Sequence, residues 1–88
     1  MELSEYIKQC NLKLDALATT KHRFVAWIIY SSHNKCYIAG VDTYTNDDEN
    51  MLYVPAKEAD PSPIEAMKAI YNQILKWEAH GAVLDPFG

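Results

Sequence analysis

The run Phe24-Val25-Ala26-Trp27-Ile28-Ile29-Tyr30 is the longest apolar stretch in the sequence, and it limits what the rest of the chain can be. Seven residues fall far short of the roughly 20 that a membrane-spanning helix needs. Their β-branched and aromatic content predicts a strand buried on both faces, with the remaining segments covering it.

The strand partner follows at once. Ser31-Ser32-His33-Asn34-Lys35 is polar and turn-forming, and Cys36 to Tyr44 is again rich in β formers. A loop of two residues (His33, Asn34) or four (Ser32 to Lys35) gives the same register: Ser31 opposite Cys36, Ile29 opposite Ile38, Trp27 opposite Gly40. Gly40 then leaves space for the Trp27 indole to lie across the neighbouring strand. One sheet face carries Val25, Trp27, Ile29 and Ile38. The other carries Phe24, Ala26, Ile28, Tyr30, Tyr37, Ala39 and Val41, so both are apolar.

The flanks read as helices. Leu3, Ile7, Cys10, Leu14 and Leu17, with Tyr6 alongside, form an apolar stripe at helical spacing over residues 3 to 17, and Asn11 marks a candidate break. After a polar loop over Thr45 to Asn50, Met51 to Val54 is a short third strand that Pro55 ends or confines to an edge. Ser62-Pro63-Ile64-Glu65 combines an N-cap serine, proline at the first helical position and a glutamate three residues after the cap. The helix it starts places Ile64, Met67, Ile70, Tyr71, Ile74 and Trp77 inward and Lys68, Asn72 and Lys76 outward, and His80-Gly81 is its expected stop. The apolar tail Ala82 to Gly88 is expected to pack.

The predicted order is helix, three-stranded antiparallel meander, helix (αβββα), a two-layer α+β sandwich forming one domain over residues 1–88. This order resembles that of double-stranded RNA-binding domains, as topology only. The family's last helix begins with basic residues, whereas Ser62-Pro63-Ile64-Glu65 stands at that position here and would repel phosphate. RNA binding is therefore not carried over.

At 88 residues with 49% apolar composition the chain is large enough for a single core. Met1 is followed by Glu2 with no basic region and no apolar segment of a secretion signal, which predicts a cytoplasmic protein. In that compartment Cys10 and Cys36 are expected to be free thiols. His33 and Cys36 are half of a zinc site with no second pair of ligands, and Asp42, Asn46, Asp47, Asp48 and Glu49 lack the periodicity and central glycine of a calcium loop. No glycine-rich phosphate cradle and no motif around a nucleophile occurs. The expectation is a protein without metal or cofactor that is not an enzyme, with a small enzyme using His33 and Cys36, or a nucleic-acid-binding domain, a distant third choice.

Charge is unevenly placed. Residues 42 to 60 hold six acids (Asp42, Asp47, Asp48, Glu49, Glu58, Asp60) against Lys57, a net of minus five, while the rest of the chain is net plus one. Tyr44 and Tyr53 lie among these acids and offer large contact area at small entropic cost. The sequence therefore predicts a partner-binding surface made of Asp42, Tyr44, Asp47, Asp48, Glu49, Tyr53, Glu58 and Asp60 that docks on a basic, nucleic-acid-binding site of a larger protein. Small size, acidity and lack of catalytic equipment resemble in type the phage-encoded inhibitors of host defence, which would imply antagonism by nucleic-acid mimicry. The alternative is a small homodimeric interaction or assembly module that associates through the sheet, because two helices on one face leave the other apolar and open. No membrane and no direct nucleic-acid contact are expected.

Overall fold

A computed structural model describes residues 1–19, 21–46 and 51–79. The elements are α1 (Leu3–Leu17), β1 (His22–Ser31), β2 (Cys36–Thr45), β3 (Met51–Asp60) and α2 (Pro63–Ala79). The strands form one antiparallel sheet in the order β1-β2-β3, so the architecture is the αβββα arrangement that the sequence predicts.

The β1–β2 register is the predicted one, with Ser31 opposite Cys36, Ile29 opposite Ile38 and Trp27 opposite Gly40. The loop has four residues and closes with Lys35 in the left-handed region at φ 53°, and Ser31 Oγ accepts the Asn34 N–H at 3.2 Å. At the other end of the ladder, the Asn46 N–H donates to the Lys21 carbonyl and Asn46 Nδ2 to that of Thr19, tying the end of β2 to the entry of β1.

Both helices pack on the face that carries Phe24, Ala26, Ala39 and Val41, where they add Cys10, Leu14, Ala66, Met67, Ile70, Ile74 and Trp77 to the core. The alanines at 26, 39 and 66 have little side chain to hold the layers apart. The Tyr6 and Tyr71 rings meet at 5.6 Å, and Lys13 Nζ lies 3.0 Å from Glu78 Oε1 seven residues further along each helix, so the helices run parallel. The Glu78 hydrogen bond is the largest influence holding the Lys13 ammonium pKa above its usual value.

Four details depart from expectation. β1 is buried on one face only, since Val25 is 40% and Ile29 54% exposed on the other. α1 is unbroken at Asn11, because that side chain finds tertiary work: Nδ2 donates to the Ile7 carbonyl at 3.1 Å and Oδ1 accepts the Ala26 N–H at 3.0 Å. Asn11 thereby caps the free edge of β1. β3 does not stop before Pro55 but continues to Asp60, and Pro55 lies where two β3 residues, Val54 and Pro55, stand opposite Asp42 alone. An edge strand with a bulge is where a residue without an N–H can sit.

The last difference concerns the start of α2. Ser62 Oγ accepts the Glu65 N–H at 3.4 Å, as the capping pattern predicts, yet the Ser62 N–H donates to Asp60 Oδ1 at 2.8 Å, so Asp60 takes the position that a reciprocal box gives to Glu65. Ile64 is exposed rather than inward, and Ala66 is buried in its stead. The expected stop at His80-Gly81 and the apolar tail lie outside the described residues.

Candidate functional site: the outer face of the sheet

Antiparallel pairing puts opposed residues on the same side, so the register assigns every strand residue a face. The side turned away from the helices carries Arg23, Val25, Trp27 and Ile29 on β1, Ile38, Gly40, Asp42 and Tyr44 on β2, and Met51, Lys57 and Ala59 on β3. Val54, at the bulge opposite Asp42, joins them. Val25, Ile29, Met51 and Val54 are all exposed. No described helix covers this side, since both belong to the opposite core.

Within this surface four side chains form one connected cluster. The Trp27 indole lies across Gly40, so close that a Cβ at that position would stand 2.5 Å from Trp27 Cζ2 and 2.9 Å from Cε2. This placement brings Nε1 to donate to Asp42 Oδ1 at 2.7 Å, while the Tyr44 hydroxyl donates to Asp42 Oδ2 at 3.1 Å. The Arg23 guanidinium lies over the Tyr44 ring at 4.9 Å from its centroid and also donates to the Thr45 carbonyl. Donation to the carboxylate raises the Tyr44 pKa above the usual phenol value, aided by desolvation and the charge of Asp42 and opposed by Arg23. Both oxygens of Asp42 thus serve to fix two aromatic rings.

The predicted partner-binding residues that are described lie on both sides of the sheet. Asp42 and Tyr44 meet on the outer side. Tyr53 pairs with Thr43 and Glu58 with Ala39, which places both on the helix side of the sheet. Asp60 pairs with Tyr37 beside the β1–β2 turn, seven residues along β2 from Tyr44, or about 23 Å at the usual strand rise of about 3.3 Å. Its carboxylate is also engaged at Ser62. Asp47, Asp48 and Glu49 lie outside the described residues.

Sequence reasoning passed over Arg23 and the Trp27–Asp42 bond, although the register contained both. Arg23 stands directly opposite Tyr44, and Asp42 is the diagonal neighbour of Trp27, two residues beyond its partner Gly40.

Other chemistry is sparse. Burial pushes the Cys10 thiol up to about 11, with Lys13 pulling the other way, so this thiol is protonated at neutral pH. Cys36 is a free, partly exposed thiol, and His33 is exposed in the turn. Among the described residues no group of three or more His, Cys, Asp or Glu side chains could hold a metal ion, and no helix is long and apolar enough to cross a membrane. In comparisons with protein-family models, curated proteins and solved structures, nothing matches this chain.

Proposed function

We propose that the protein is a binding module whose working surface is the outer face of the sheet, rather than an enzyme. The observation that carries this reading is an open row of aliphatic side chains around a fixed Trp27–Asp42–Tyr44–Arg23 cluster. Tryptophan, tyrosine and arginine are the residue types that dominate binding energy at protein interfaces, and rings already held in place lose little entropy on binding. The edges of the sheet are poorer docking sites. Asn11 occupies the Ala26 N–H on β1, while β3 has irregular pairing and a proline. The face is therefore favoured over strand addition at an edge.

The test is a comparative capture. Wild-type protein, Ile29→Lys and Leu12→Lys are immobilised and exposed to lysate of the source cells, and the chain's own copies are counted among possible ligands. Leu12 is exposed on α1, so its substitution controls for the added charge. A protein held by wild type and Leu12→Lys but lost with Ile29→Lys supports the reading. Retention unaffected by Ile29→Lys contradicts it.

A further inference from the structure

We draw no further inference here: the strongest candidate, the exposed aliphatic patch of Val25, Ile29, Met51 and Val54 around the Trp27–Asp42 contact on the outer face of the sheet, belongs to the site already described, and nothing among the described residues shows what covers it.

Discussion

Gly40→Ala is the substitution whose effect the structure specifies most fully. Alanine is ordinarily the better strand residue, and removing glycine's freedom in the unfolded chain stabilises by about 0.4 to 1 kcal/mol where the backbone tolerates it. Here the new Cβ would stand 2.5 Å from Trp27 Cζ2 and 3.0 Å from the Ala56 carbonyl oxygen. The backbone oxygen belongs to the paired strand and has little room to yield, so the indole must move. Moving it stretches the 2.7 Å bond from Nε1 to Asp42. Overpacking costs about 1 to 3 kcal/mol, and weakening a hydrogen bond to a carboxylate adds up to roughly 2 more. After the entropic gain the expected net is a destabilisation of about 2 kcal/mol, a fall in Tm of about 8 to 16 °C for a domain of this size. Urea denaturation of wild type, Gly40→Ala, Trp27→Ala and the double variant closes a cycle. With the indole gone the cost of Gly40→Ala falls, leaving only the 3.0 Å approach to the Ala56 carbonyl oxygen. A neutral or stabilising Gly40→Ala in the presence of Trp27 would refute the reasoning.

Other expectations follow from single contacts. Asn11→Leu leaves the Ala26 N–H without its acceptor and costs about 1 to 3 kcal/mol in urea melts, with faster hydrogen exchange at the Ala26 amide. Thr43 is fully buried, and its hydroxyl has no hydrogen-bond partner among the described residues; Thr43→Val should raise stability by about 1 kcal/mol, measured the same way. The Cys10 thiol holds its proton to a higher pH in the folded chain, about 11 against 9.0, so its contribution is intact below the lower value and is lost as pH rises between the two. The loss amounts to roughly 2 to 3 kcal/mol at most, and thermal melts from pH 8 to 11 should show Cys10→Ala lacking that part of the decline.

The strand register was legible because a two-residue and a four-residue loop around His33-Asn34 give the same pairing, and that pairing sets Gly40 opposite Trp27. The start of α2 was legible because serine, proline and glutamate each suit a different position of a helix N-terminus. Asp60 as the acceptor of the Ser62 N–H was not, since two carboxylates lay within reach and only the chain's path into the helix chooses between them. The continuation of β3 past Pro55 was hidden for a similar reason: the bulge that admits the proline depends on pairing with β2.

For the candidate site, the acidic segment drew attention through composition, but strand alternation divides its described members between two faces and two ends of the sheet. Alternation also turns Asp42 and Tyr44 toward Trp27 and Arg23, which lie outside that segment in sequence and beside it in space. Which face the helices take was not readable from two apolar faces. The outcome leaves Val25, Trp27 and Ile29 on the open side.

The most direct test of the outer face as the binding surface is the map of amide and indole chemical shifts of the full chain as the ligand held by wild type and Leu12→Lys but not by Ile29→Lys is added. The account predicts shifts concentrated at Val25, Trp27 including its Nε1–H, and Ile29, with the amides on the solvent side of α1 and α2 unmoved. Shifts confined to the helices, with the Trp27 Nε1–H unmoved, would contradict it.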